Sequence, residues 1–297
     1  EIAGNLGYAP SRVAGSLAGA NSRLIAISVP TLGDAVFTDI VEGMQATLLS
    51  AGFDTMIETS DYDPAREHAW VERMIAWSPA AVVVSGVDRA EAVRERLSGS
   101  RIPTLELWDV AETPIDLCVG IDHHAAGLEM GRYLAGLGYR RPGYVGVSHG
   151  RDLRAEKRRA GLAAGFAEVG AGFVTDIRTD GTPSFETGMS GARAALVETT
   201  GAAPDVLCFL NDHLAFGGLV ACEAAGLAVP ERIGIVGFNA LNINNVLPRR
   251  LTTSATPRKL MGATAARMLV AAIRGVRPRR AVTMPVELVP GATTRAR

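Results

Sequence analysis

Short runs of β-branched or apolar residues alternate with longer amphipathic runs, and the alternation occurs twice along the chain. In the first cycle Leu24–Val29 precedes Phe37–Leu49, Phe53–Glu58 precedes Pro64–Trp77, Ala81–Ser85 precedes Ala90–Leu97, and Thr104–Leu107 follows. The second cycle begins near Gly138. It pairs Gly143–Val147 with Arg154–Val169, Phe173–Ile177 with Phe185–Glu198, and Val206–Leu210 with Leu214–Ala225, and ends on Ile233–Val236. Strands that are apolar along their whole length are buried on both faces, so this rhythm predicts parallel sheets covered by helices. Two cycles predict two similar lobes. Gly52, Gly138, Gly170 and Gly226 close the helical runs, where a left-handed cap favours glycine. No low-complexity stretch or long linker divides the halves.

A chain of 297 residues with 47% apolar content is long enough for two moderate cores. No uninterrupted apolar run approaches the roughly 18 residues of a membrane span, and no secretory leader opens the sequence. Cys118, Cys208 and Cys222 are odd in number, scattered and set among apolar neighbours such as VLCFL. That suits buried free thiols in a reducing cytoplasm better than disulfides or metal ligands. The net charge of −1 supplies no broad basic face for nucleic acid. No phosphate-cradling GxxxxGK[ST] loop, GxSxG elbow or paired acid and base is present, so no enzyme, cofactor or metal is expected. His123 and His124 are adjacent and on a helix point about 100° apart, which suits a helix start rather than a shared metal.

The opening stretch Gly7–Ser22, GYAPSRVAGSLAGANS, is small-residue-rich with one large apolar side chain, Leu17. A helix that short is marginal alone. With Tyr8, Pro10, Ala14, Leu17, Ser22 and Ile25 in register, it resembles the hinge of lac-repressor (LacI) family transcription regulators, although Ser11 replaces the usual Asn and Gly15 the usual Arg. Asn211 and Asp212 open NDHLAFGGLVACEAAGLAVPERIGIVGFN, and Leu251–Gly262 reads LTTSATPRKLMG; both are similar to motifs of the same family. The resemblance extends over nearly the whole chain. It implies two Rossmann-like lobes of the type I periplasmic-binding-protein kind with three crossovers. Residues 1–22 are then the end of the headpiece and the hinge, 23–137 plus 257–283 the N-terminal lobe, and 138–256 plus 284–297 the C-terminal lobe. It also implies a cytoplasmic homodimeric repressor of operator DNA, with Leu17 wedged into the minor groove and the DNA-binding headpiece absent from these residues. A periplasmic-type sugar-binding protein shares the architecture and is the alternative; the hinge-like opening argues against it.

The resemblance places the effector in the crevice beyond the carboxyl ends of the strands. Expected there are Phe37, Trp108 with Asp109, Arg154 and Arg158, Asn211, Asn239 and Thr256. Arg154 and Arg158 lie one helical turn apart, and a guanidinium fork suits a carboxylate or phosphate. Four of them have a plainer alternative: Phe37 and Trp108 as core, the two arginines as a solvated face with Lys157 and Arg159. Asn239, in GFN, stands where family members that bind neutral sugars commonly carry Asp. An amide does not repel an anion. Together with SVPTLGDAVF and LELWD, these residues resemble the gluconate-repressor branch, and a sugar acid such as gluconate is the expected effector.

Overall fold

A computed structural model describes residues 22–148, 152–197 and 201–296. The hinge-like segment with Leu17 lies outside the described residues. The strands and helices run β1 (Leu24–Val29), α1 (Ala35–Ser50), β2 (Asp54–Thr59), α2 (Pro64–Trp77), β3 (Ala81–Ser85), α3 (Glu91–Gly99), β4 (Thr104–Asp109), β5 (Leu117–Ile121), α4 (His123–Gly136) and β6 (Pro142–Val147). They continue with α5 (Leu153–Ala167), β7 (Thr175–Thr179), α6 (Phe185–Val197), β8 (Val206–Phe209), α7 (Asp212–Ala224) and β9 (Gly234–Val236). A 3-10 turn at Asn242–Asn245 leads to β10 (Thr253–Ala255), α8 (Arg258–Ile273), β11 (Ala281–Thr283) and β12 (Glu287–Val289).

Two parallel sheets form, ordered β11-β5-β4-β3-β1-β2 and β7-β6-β8-β9. In each, the first strand of its cycle sits between the second and the third. That is where strand order reverses and where open α/β sheets leave a crevice. The alternation in the sequence therefore reads through to the same topology twice. β1 is buried along all but its first residue because helices cover both faces of the sheet, which is why the run LIAISV carries no polar alternation beyond Ser28. The four glycines expected at helix ends do adopt left-handed backbone, with φ of +87°, +84°, +69° and +71° at Gly52, Gly138, Gly170 and Gly226.

The first core joins Ile25, Ile27, Phe37 and Ile40 to Leu105, Leu107 and, from far along the chain, Met261 and Leu269 of α8. Trp70, Val82 and Val84 fill the other face of the same sheet. A separate core gathers β6, β8 and α7. Helix α4 belongs to both. Its Ala126 lies in the first core, whereas Met130, Leu134 and Ala135 lie in the second. The change of partner falls between Ala126 and Met130, one turn apart on the helix. The chain returns through α8 and β11 to the first sheet, and leaves it again at β12, which pairs antiparallel with β10.

Candidate functional site

A narrow cleft, partly open to solvent, lies between the carboxyl ends of the two sheets' strands. Asp34 and Phe37 enter it from the start of α1, Trp108 from the end of β4, and Arg154 and Arg158 from the first turns of α5. Leu210 and Asn211 reach it from the β8–α7 junction, and Asn239 from beyond β9. Loops at strand ends carry side chains that regular pleat would point elsewhere. Three lining residues have left-handed backbone, with φ of +54° at Tyr62, +78° at Trp108 and +108° at Asn239. Such geometry costs on the order of 1–3 kcal/mol for a non-glycine residue and persists where surrounding structure enforces it.

The enforcement is visible around Asn239. Its N–H donates to the Ser254 carbonyl at 2.9 Å, and its carbonyl accepts from Arg258 Nη1. Arg258 Nε in turn donates to Asp39 of α1 at 2.8 Å, so one guanidinium ties the loop to the other lobe. Asp212, at the first position of α7, accepts from Leu241 N–H at 2.8 Å and from the Thr253 hydroxyl at 2.7 Å. Gly237 is required beside it, since a Cβ there would overlap the Asp212 carboxylate. The amide oxygen of Asn239 is left buried with no hydrogen-bond partner among the described residues.

The two arginines differ. Arg154 is matched: its Nε donates to Asp152 at 3.0 Å and its Nη1 to Ser85 Oγ at 2.9 Å, with its guanidinium over the Phe37 and Tyr62 rings. Arg158 stacks 4.4 Å from the centre of the Phe238 ring and has only neutral acceptors, His123 Nδ1 at 2.9 Å and the Leu210 carbonyl at 3.5 Å. No ion pair to it forms among the described residues. Burial, only partly opposed by the Asp152 charge, lowers its pKa below the usual guanidinium value.

Asp152 behaves oppositely. Burial disfavours its charged form, but the Arg154 and Arg158 charges and the Arg154 hydrogen bond outweigh that and hold its carboxyl below the usual carboxylate range. A depressed folded-state pKa contributes stability that is present above the unfolded value, about 3.9, and is lost as pH falls through the lower folded value. Thermal melts of the wild type and Asp152→Asn should therefore differ by a constant amount between about pH 5 and 7. The gap should narrow only below about pH 4; a gap unchanged down to pH 2.5 would contradict the pairing.

Of the eight residues expected in the cleft, six line it: Phe37, Trp108, Arg154, Arg158, Asn211 and Asn239. Asp109 and Thr256 do not. The left-handed backbone at Trp108 breaks the strand's alternation: its ring joins Leu105 and Leu107 in the first core and reaches the cleft, while Asp109 lies outside the lining. There it accepts from Lys157 Nζ at 2.7 Å, and the same ammonium reaches Asp88 at 2.6 Å. Thr256 is buried at the head of α8, its hydroxyl accepting from Arg258 at 3.2 Å. Asn211 also caps α7, its Oδ1 accepting from Leu214 N–H at 3.1 Å. Sequence reasoning missed Asp34, Tyr62, Asp152 and Pro183 in the lining, and His123 behind it. Asp34 carried one signal, an N-cap position before an apolar helix; its Oδ1 accepts from Val36 N–H at 2.9 Å.

Among the described residues no group of three or more His, Cys, Asp or Glu could hold a metal, and no helix is long and apolar enough to cross a membrane. The three cysteines are buried free thiols.

Residues 132–294 match the periplasmic binding protein-like domain. The HTH-type transcriptional regulator GntR of Pseudomonas aeruginosa is 30% identical over 99% of this chain and 85% of its own length. Its namesake from Escherichia coli K12 is 30% identical over 91% of this chain and 80% of its own. A crystallised LacI-family transcriptional regulator from Silicibacter pomeroyi superposes with a TM-score of 0.92 at 30% identity, covering 99% of this chain and 88% of that one. These relatives are regulators, not enzymes or transport proteins, and their likeness spans both lobes, the crevice between them and the β8–α7 motif. The chain belongs to the LacI family of transcriptional regulators.

Proposed function

We propose that the cleft binds a sugar acid, gluconate or a close hexonate, and that occupancy controls operator binding by a cytoplasmic homodimeric repressor. The observation that carries the effector's charge is Arg158, a buried guanidinium that forms no ion pair among the described residues. A carboxylate there would replace only neutral partners, and a charge-assisted bond is about twice as strong as a neutral one. The orphaned Asn239 oxygen asks for a donor in the same space, and a hydroxyl of the same ligand supplies one. The Phe37 and Trp108 rings, 6.2 Å apart, offer apolar surface to a carbon chain or ring. Asp34 and Asp152 balance the formal charge of the two arginines, but Asp152 is already engaged by Arg154, which leaves Arg158 as the anion's partner.

Titration calorimetry with gluconate, 2-ketogluconate, glucose and glucitol tests the assignment. The acids should bind and the neutral compounds should bind at least tenfold more weakly. Asn239→Asp, which places a carboxylate where the amide faces the acid, should weaken gluconate. Equal affinity for glucose and gluconate would overturn the sugar-acid assignment.

The lobes move as units with the boundaries drawn above, 23–137 plus 257–283 against 138–256 plus 284–297, and the effector bridges them: Arg158 belongs to one and Phe37 and Trp108 to the other. Linkage then requires that whatever the effector does to operator affinity, the operator does to effector affinity. Residues 1–22 with Leu17 transmit the change to DNA. The dimer is supported by apolar side chains left exposed together on α6, α7 and the 3-10 turn: Phe185, Val220, Ile243 and Val246, around a groove that Phe216 and Leu247 also line. Contiguous exposed apolar surface marks interaction sites. Val220→Asp with Ile243→Asp should convert the dimer to monomer in sedimentation while effector still binds; a monomeric wild type at micromolar concentration would remove this assignment.

A further inference from the structure

His123 was expected only to start a helix. It does, as the first residue of α4, yet its ring is 1% exposed and sits between the two lobes' contributions to the cleft. One ring nitrogen, Nε2, lies 3.0 Å from the Trp108 carbonyl oxygen, and the other, Nδ1, lies 2.9 Å from Arg158 Nη1. The carbonyl can only accept and the guanidinium can only donate. A single arrangement satisfies both: a neutral imidazole carrying its proton on Nε2, with a bare Nδ1 lone pair turned to Arg158. Burial, and then the neighbouring charges of Arg158 and Arg154, push the pKa of His123 well below its usual value. The same ring makes edge contacts with Trp108 at 5.5 Å and lies 6.3 Å from Phe238, so its orientation is fixed from both sides.

We propose that His123 is the positioning residue of the cleft's anion site: as a neutral Nε2–H tautomer it holds the Arg158 guanidinium toward the cavity and ties it to the Trp108 end of β4. Three features of the site then share one cause. The guanidinium is buried with no ion pair among the described residues, because a carboxylate in place of the imidazole would neutralise it and remove its pull on a ligand anion. An imidazole supplies an acceptor that carries no charge. The left-handed backbone at Trp108 turns that residue's carbonyl onto the imidazole, which selects the tautomer. A ligand anion arriving at Arg158, in the second lobe's α5, thereby bears on β4 of the first sheet through two hydrogen bonds.

This inference rests on the anion-binding assignment made above, and its test separates the two. The ligand-free protein is examined first, by nitrogen-15 NMR at pH 7. His123 should show one protonated and one bare ring nitrogen, and the Arg158 side-chain N–H signals should exchange slowly with water. In His123→Phe, which keeps a ring and loses both hydrogen bonds, those arginine signals should broaden into fast exchange while the melting temperature stays within a few degrees. Calorimetry with gluconate follows: His123→Phe should lose at least tenfold in affinity, and His123→Asn, whose amide oxygen can replace Nδ1 as acceptor, should recover to within about threefold of wild type. If the wild type binds no acid, the sugar-acid assignment falls, and the ligand-free spectra alone still decide the role of His123. A protonated or Nδ1–H imidazole, or Arg158 signals unchanged in His123→Phe, overturns it. So does full gluconate affinity in His123→Phe.

Discussion

Arg158→Ala should leave a protein that folds and melts as the wild type does, or slightly higher, and that no longer binds the acid. The two halves of this expectation have one cause. The guanidinium is buried against a ring face, an imidazole nitrogen and a distant carbonyl, with no ion pair among the described residues. Burying a charge without its counter-charge costs several kcal/mol, and removing the arginine relieves that cost. The relief is set against the packing its stem provides and the charge it lends to Asp152, so the net change in stability is small. On the ligand's side nothing compensates. The acid loses a charge-assisted pair of bonds worth about 1.5–3 kcal/mol each, so affinity should fall by roughly a hundredfold or more. Calorimetry gives the affinity and a melt gives the stability. If Arg158→Ala binds gluconate normally, the arginine is only a buried stem and the cleft recognises its ligand by shape. Arg154→Ala differs in kind: it takes from buried Asp152 its ion-pair hydrogen bond and the larger of its two stabilising charges, so it should destabilise the fold even without ligand.

The largest effect on stability is expected at Gly161, in the middle of α5. A Cβ there would overlap the carbonyl oxygen of His124 in α4 and come within 2.8 Å of the Leu128 nitrogen. Gly127 faces the reverse way, where a Cβ would overlap the Arg158 carbonyl. These glycines let the backbones of the two helices touch. Both atoms in the clash belong to main chain, which cannot rotate aside as a long side chain could. Gly161→Val should therefore cost about 3 kcal/mol or more, at the upper end of overpacking effects, and lower the melting temperature by roughly 6–12 °C for a chain of this size. Gly136, near the end of α4, is the control, because nothing lies within 4 Å of a Cβ built there. Gly136→Ala should be neutral or raise stability by up to about 1 kcal/mol through helix propensity. The displaced helix pair carries both His123 and Arg158, so Gly161→Val should also weaken the acid. A melt within 2 °C of the wild type would show that α4 and α5 can part without penalty.

What could be read from the sequence depended on how local its cause was. Strands such as LIAISV announce themselves because burial on both faces leaves no polar alternation, and Gly52 or Gly226 marks a helix end because left-handed backbone favours glycine. The short strands β5, β10, β11 and β12 and the helix α8 were not singled out. Strands of three residues, as in β10 to β12, owe their existence to partners far away in sequence. In the cleft, the i, i+4 spacing of Arg154 and Arg158 put both on one face, and both line the cavity. That only one of them lacks a counter-charge depends on Asp152, two residues before the helix's first arginine, and on which way its side chain turns. Tyr62 and His123 reach the site through folding alone. Trp108 and Asp109 were grouped by adjacency, but the left-handed backbone at Trp108, which no local pattern announces, brings only the Trp108 ring to the cleft.

The interleaving of the two lobes also governs the order in which a growing chain can fold. When residues 22–121 have left the ribosome, the first sheet has five of its six strands, but one face of α1 lacks α8 and the outer edge of β5 lacks β11. Both arrive only after residue 258, once the whole second sheet has been made. The first-born lobe thus waits with an open strand edge and an uncovered apolar patch, the two features that invite aggregation during synthesis. The second lobe waits in turn for Thr293, whose hydroxyl donates to the Ile235 carbonyl and accepts from Thr252 N–H. The last ten residues described here are therefore stitches for a lobe begun 150 residues earlier, and neither lobe is a unit the chain can finish by itself.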